Sequence, residues 1–281
     1  DDIIAWANTN AARGLLPQLM HRLIAVSGAS VDQLAMPFGD SVGRSGLDGF
    51  VVASAGASFV PAGESVWEMG VDRIPKKKAD KDYAKRDANT AATRKKKTTY
   101  VQVTPRHWEK KAQWITDRER DGWKKVIVYD VDDLLGVLDR SPAVDAWLSR
   151  LIGKPTAGLR DCEGYWKNIS TGSDFSIQTS VLLAGRDELA AEVRRYAETP
   201  GTAQPFALTS RSPMEVLSFS VASICSTNDQ KLLSRSVVVE RRDQWERVVV
   251  EERNLVLVLS HTVQPTMEEL LQSKGSEHKV I

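Results

Sequence analysis

Cysteine is scarce: Cys162 and Cys225 are the only two in 281 residues, and neither sits in a paired spacing that suggests zinc. A reduced, cytoplasmic setting is expected from that usage. Long apolar runs are missing too. None reaches the ~18 residues of a membrane span, and no charged-then-apolar stretch opens the sequence, so neither a spanning helix nor a secretory leader is expected. A one-sided charge is also lacking. The formal net charge is +1, so the average says nothing about nucleic acid. What is present, 42% hydrophobic and 27% charged residues, is the composition of a soluble globular chain long enough for two domains. The sequence starts Asp-Asp without methionine and ends His278-Lys279-Val280-Ile281, which reads as the start of a buried strand. A fragment of a longer protein is expected.

Hydrophobic periodicity predicts a helix over 1–28, in which Leu15, Leu16, Leu19, Met20 and Leu23 share a face. Residues 31–42 are ambiguous between strand and turn. Short strands are expected at 50–53, 58–60 and 65–70. Pro75 then opens a helix carrying Lys76 to Arg86. A strand at 98–104, a helix at 108–121, a strand at 125–129 and helices at 130–138 and 142–152 complete a first domain, 1–153. Residues 154–180 read as a linker. From 181 to 281 helices at 187–198, 213–225, 243–252 and 266–274 alternate with strands at 205–209, 236–239, 255–259 and 279 onward. Such alternation predicts a mostly parallel sheet covered on both faces. The expected fold class is α/β in both halves.

Within the first domain two acids stand out. Asp48 lies in Gly46-Leu47-Asp48-Gly49 ahead of a strand, and Glu68 lies near the end of Ser65-Val66-Trp67-Glu68-Met69-Gly70. Two carboxylates on neighbouring strands can converge on a hard cation through oxygen ligands. Singly, each has a plainer explanation: Asp48 as a turn residue capping its own backbone, Glu68 as a solvent-facing strand acid. Trp67 alternates to the opposite face and belongs in the core. Glu64 is a turn acid or a spare ligand. Asp130, Asp132 and Asp133 could pass for a metal cluster, but Asp130 reads better as the cap of the helix that follows. Among the histidines, His107 and His21 read as surface or packing residues. His261 ends an apolar strand with no visible partner.

Positive charge is concentrated between Arg73 and Lys97, where eight lysines and three arginines face three aspartates. Lys77, Lys81 and Lys85 share one helical face, and Lys78 begins the neighbouring register. Lys76, Lys77, Lys78, Lys81 and Lys85, with Arg94, Lys95, Lys96 and Lys97 and, after the next strand, Arg106, make a candidate phosphate-binding surface. The alternative is a solvated helix face, diluted by Asp80, Asp82 and Asp87.

The order helix, three strands, helix, strand, with Gly46-Leu47-Asp48-Gly49, Trp67-Glu68, Tyr100-Val101-Gln102-Val103-Thr104-Pro105 and the stretch 126–138, resembles the restriction-endonuclease-like PD-(D/E)xK superfamily, in its Mrr-like branch. The segment 1–152 also resembles N-terminal domains of large bacterial anti-phage defence proteins with NTPase modules. The resemblance implies a Mg²⁺- or Mn²⁺-dependent DNA endonuclease with Asp48 and Glu68 as metal ligands, held inactive until a protein partner or homo-oligomeric assembly signals. The sequence departs from the pattern at Gly70, where a lysine belongs. Lys77, Lys78, Lys81 and Lys85 on the following helix are the candidates to supply it, with Lys78 and Lys81 taken as the catalytic pair, and a catalytically inactive binding or assembly module is the alternative. Residues 181–281 resemble the entry to STAND- or AAA-type NTPases with a Rossmann-like sheet. Thr209-Ser210-Arg211-Ser212-Pro213-Met214-Glu215 stands where a glycine-rich phosphate loop belongs, so no nucleotide site is expected there.

Overall fold

In the computed structural model the chain forms two compact units, Asp1–Leu138 and Asp139–Ile281. The described residues exclude 1, 38–45, 156–158, 173–175, 200, 202–203, 228, 252–253 and 276, and the side chains of 251, 272, 274 and 275. Helix Pro142–Leu151, expected with the first domain, groups with the second unit. Each unit is a mixed sheet flanked by helices. Among the described residues no helix is long and apolar enough to cross a membrane.

The first unit runs α1 (Asp2–Trp6), α2 (Ala12–Ala25), β1 (Ser30–Ala35), β2 (Gly49–Ala55), β3 (Gly63–Met69), α3 (Pro75–Ala88), α4 (Ala92–Lys95), β4 (Thr98–Val103), α5 (Lys111–Thr116), β5 (Lys125–Tyr129) and α6 (Val131–Leu138). The expected helix over 1–28 is interrupted because Asn8-Thr9-Asn10 favour turns that bond their own backbone. The sheet order is β1-β2-β3-β4-β5. The first three strands form an antiparallel meander, and β4 and β5 join in parallel. Parallel joining requires a crossover, and α3 with α4 supplies the one from β3 to β4. Ala79 and Tyr83, one turn apart on α3, bury against Val66, Tyr100, Val126 and Val128, with Trp114 and Trp123 closing the layer. On the opposite face Trp67 is fully buried between Phe59 and Tyr129, its indole N–H donating to Ser65. Phe59 and Val60 are buried by that packing and not by strand pairing, since Ala57 and Val60 bond each other in a turn. The strand expected at 58–60 is therefore absent.

The second unit contains α7 (Pro142–Leu151), β6 (Arg160–Asp161), α8 (Cys162–Ser170), α9 (Thr179–Leu183), α10 (Asp187–Glu198), α11 (Pro213–Cys225), α12 (Gln230–Ser234), β7 (Ser236–Val239), α13 (Arg242–Glu251), β8 (Val256–Leu259), α14 (Met267–Gly275) and β9 (Lys279–Val280). β7, β8 and β9 are parallel, and the short β6 pairs antiparallel at the edge. Val237, Val239 and Leu257 face Ala143, Trp245 and Val248; Val238, Val256 and Val258 face Tyr165, Leu217 and Val221. A sheet covered on both faces explains the near-continuous apolar strands. The strand expected at 205–209 is not one: Phe206 gives a single backbone bond to Val280 and packs on Tyr196. The expected linker holds β6, α8 and the start of α9, with Asp161 capping α8 and gripping Arg150 through two hydrogen bonds. At the foot of α11, Ser212 caps the helix and Glu215 pairs with Arg186 and Ser210.

His278 is 1% exposed, and burial pushes its pKa down to about 4 against the opposing pull of the Val248 and Val249 carbonyls. The folded form thus holds the imidazole neutral, whereas the unfolded chain takes up a proton below about 6.5. Stability of the second unit is expected to fall as pH drops from about 6.5 through 4, by on the order of 3 kcal/mol. Urea unfolding across that range checks this, with His278→Gln showing a flatter profile.

Candidate active site

Gly49 pairs with Trp67 in the β2–β3 ladder, so the register sets Asp48 opposite Glu68 one position further on. Side chains directly opposite on antiparallel strands have Cβ atoms about 5 Å apart. The strands come this close because residue 49 has no side chain: a Cβ there would meet Trp67 Cβ and Met36 Cε at 3.0 Å. Asp48 does not cap its own backbone. Its Oδ2 accepts the Met69 N–H at 2.9 Å, across the ladder, which fixes the carboxylate at the end of β3.

Glu68 is 6% exposed and does not face solvent. Its pKa is raised to about 7, first by burial and then by the Asp48 charge, and Arg86 works against both. Arg86 places Nε at 2.7 Å and Nη2 at 2.5 Å from the same oxygen, Oε1, and Nη2 also donates to the Gly46 carbonyl at 2.9 Å. Asp82 joins the group from α3. Burial raises its pKa, its partner Lys78 opposes that, and Asp48 and Asp72 add to the rise. Lys78, Asp82 and Arg86 stand at i, i+4 and i+8, so one stripe of α3 faces the acid pair with alternating charge.

Lys78 lies across Gly70. A Cβ at position 70 would come within 2.7 Å of Lys78 Cγ, so the lysine side chain from the helix runs over the place where a strand side chain would begin. The cleft around these groups has a volume of about 1000 Å³. Asp48, Glu68, Gly70, Lys77, Lys78, Lys81, Asp82, Lys85 and Arg106 line it, together with Asn8, Thr9 and Asn10 from the turn between α1 and α2, Arg13 from α2 and Arg73 before α3.

The basic residues divide by partner. Lys76 pairs with Asp80, Lys95 with Asp87 and Arg94 with Glu64, and none of the three lines the cleft. Lys96 and Lys97 are exposed and also lie off it. Arg106 is buried, and its guanidinium is committed to the carbonyls of Ile4, Ala7 and Val71, so it ties α1 to the segment after β3 and is not presented to a ligand. Arg13, Arg73, Lys77, Lys81 and Lys85 are exposed along the cleft with no acidic partner among the described residues. Asp130 accepts Lys111 and the backbone N–H groups of Asp132 and Trp108, which is a helix cap in an ion pair and not a metal cluster.

Among the described residues no group of three or more His, Cys, Asp or Glu side chains is placed to hold a metal ion. Asp48, Glu68, Asp72 and Asp82 line the cleft; of these Asp82 is taken by Lys78, and the pair Asp48 and Glu68 would suit Mg²⁺, which keeps several waters and takes only one or two carboxylates. No family model, curated protein or solved structure matches the chain. Sequence reasoning placed Asp48, Glu68 and the Lys77, Lys81, Lys85 face, and missed Arg86, Asp82, Arg13 and Arg73. The Lys-Asp-Arg spacing of four was the available signal for the inner stripe.

Gly70→Ala is expected to destabilise the first unit by about 1–3 kcal/mol through overpacking against Lys78. In a Lys78→Ala background the same change should cost much less, so a four-protein unfolding cycle reads the contact. Equal losses in both backgrounds would place the lysine elsewhere.

Proposed function

We propose that the first unit is a divalent-metal-dependent nuclease module that hydrolyses phosphodiester bonds in DNA. The observation that carries this reading is the convergence of Asp48 and Glu68 on one cleft, with Lys78 over Gly70 and three unpaired lysines along the wall. The order α2, three-strand meander, α3 and parallel β4 is also the order expected of the restriction-endonuclease-like fold that the sequence resembles. The parallel core of the second unit suits a Rossmann-like scaffold in the same way. On the same resemblance the module belongs to an anti-phage protein.

Asp48 and Glu68 would hold the ion. Bound there, it would lower the pKa of a water and offset charge on the phosphate. Asp48 lines the cleft and is kept in place by the Met69 N–H. Lys78, beside the acid pair, orients the attacking water or meets the charge that develops on the phosphate oxygen. Lys77, Lys81 and Lys85 repeat every four residues along α3 and grip successive phosphates without reading bases. A second reading, a nucleic-acid-binding or assembly module without catalysis, is favoured by Arg86, which already neutralises Glu68.

Incubation of supercoiled and linear DNA with Mg²⁺ or Mn²⁺ tests the proposal. Cleavage is expected in wild type and is expected to be lost in Asp48→Ala and Glu68→Ala. Salt-sensitive binding with intact DNA in every case would instead establish the second reading. Replacing Lys77, Lys81 and Lys85 together by alanine should reduce the slope of log affinity against log salt by about 3. An unchanged slope would remove the α3 face from the DNA contact.

A further inference from the structure

A buried carboxylate needs a counter-cation or a proton, and Glu68 has its cation built in. The Glu68 side chain is 7% exposed and that of Arg86 13%, so little water separates the pair from the protein around it. Both donors of Arg86 converge on Oε1. The third contact, to the Gly46 carbonyl, ties the same guanidinium to the segment that carries Asp48 two residues later. Arg86 thus bridges the approaches to both acids, whereas Lys78 at the other end of the stripe is held by Asp82.

We propose that Arg86 is a latch: seated on Glu68 and Gly46 it stands in for the divalent ion, and the ion enters only as the guanidinium leaves. This rests on the assignment of Asp48 and Glu68 as the ion-holding pair. A divalent ion on either oxygen of Glu68 would sit beside the guanidinium and be repelled by it, so cation binding and the Arg86–Glu68 bond oppose one another. Apparent affinity for the ion is then lowered by the fraction of molecules in which the latch is closed. Whatever draws Arg86 away raises that affinity, and DNA is suited to do so: guanidinium pairs with phosphate as well as with carboxylate, and Lys77, Lys81 and Lys85 lead phosphates along the same helix. Substrate and ion would therefore load cooperatively, and the free protein would rest in a closed state.

Mn²⁺ titration of the whole chain, read by calorimetry without any substrate, tests the latch. Arg86→Gln is expected to bind Mn²⁺ about tenfold or more tightly than wild type, and Arg86→Gln with Glu68→Gln is expected to lose that gain. Because Arg86→Gln leaves a buried acid without its cation and could fail to fold, a second measurement uses wild type. With arginine labelled at Nε, the Arg86 signal should shift and exchange faster with water as Mg²⁺ is added. If Arg86→Gln folds and binds no more tightly, or the Nε signal ignores Mg²⁺ that demonstrably binds, the latch is wrong. If in that case Asp48→Asn or Glu68→Gln still abolishes wild-type binding, the ion site survives without it. If no variant binds Mn²⁺ at all, both fall.

Discussion

Glu68 and Asp48 are brought opposite each other by a strand ladder that has no freedom to separate them, because Trp67 locks the register from the other face of the sheet. Burial, and then the neighbouring Asp48 charge, raise the cost of ionising Glu68. Everything near them answers that cost. The Met69 N–H bonds one carboxylate, a guanidinium covers the other, and a lysine sits on a third acid alongside. Had these groups served stability alone, apolar residues of similar volume would have done at least as well. The concentration of ionised groups at one strand end is what the proposed site is built from.

The helix α3 is the element that converts this cost into a surface. Its apolar contribution is small, with Ala79 and Tyr83 as its buried anchors. That leaves the remaining faces for charge. One stripe turns inward and is neutralised residue by residue, and the adjacent stripe stays free. The acids Asp80 and Asp87 bond Trp114, Arg118, Lys95 and Trp123, so they hold the helix to the rest of the unit and do not merely dilute its field.

Much of the second unit is legible in sequence because its strands are buried on both faces: Val237, Val238 and Val239 are consecutive apolar residues, all buried. The segments that misled did so through side chains that resemble strand residues but are buried by packing, as at Phe59 and Phe206. The segment 154–180 read as a linker because Gly153-Lys154-Pro155 is a strong break, whereas the Asp161 cap that starts α8 depends on Arg150, eleven residues away. At the cleft, Asp48 and Glu68 could be paired by strand order. The partners of each charge could not be assigned, since that needs the rotation of α3 and the path of Arg106. Charge counted between Arg73 and Lys97 does not all face one cleft: Lys76, Arg94 and Lys95 lie off it and pair with Asp80, Glu64 and Asp87.

Arg106 fastens the start of the chain to the tip of the sheet, and Pro75 sets where α3 begins. Between those two anchors the helix has a single workable phase. A single residue inserted before Lys76 would turn it by about 100°, bringing the outer lysines round toward the carboxylates and moving Arg86 to the place Asp87 now holds beside Trp123 and Lys95. The spacing between Glu68 and the helix start is therefore a component of the site in its own right. A relative with a longer or shorter turn there would need a different set of charges to arrive at the same chemistry.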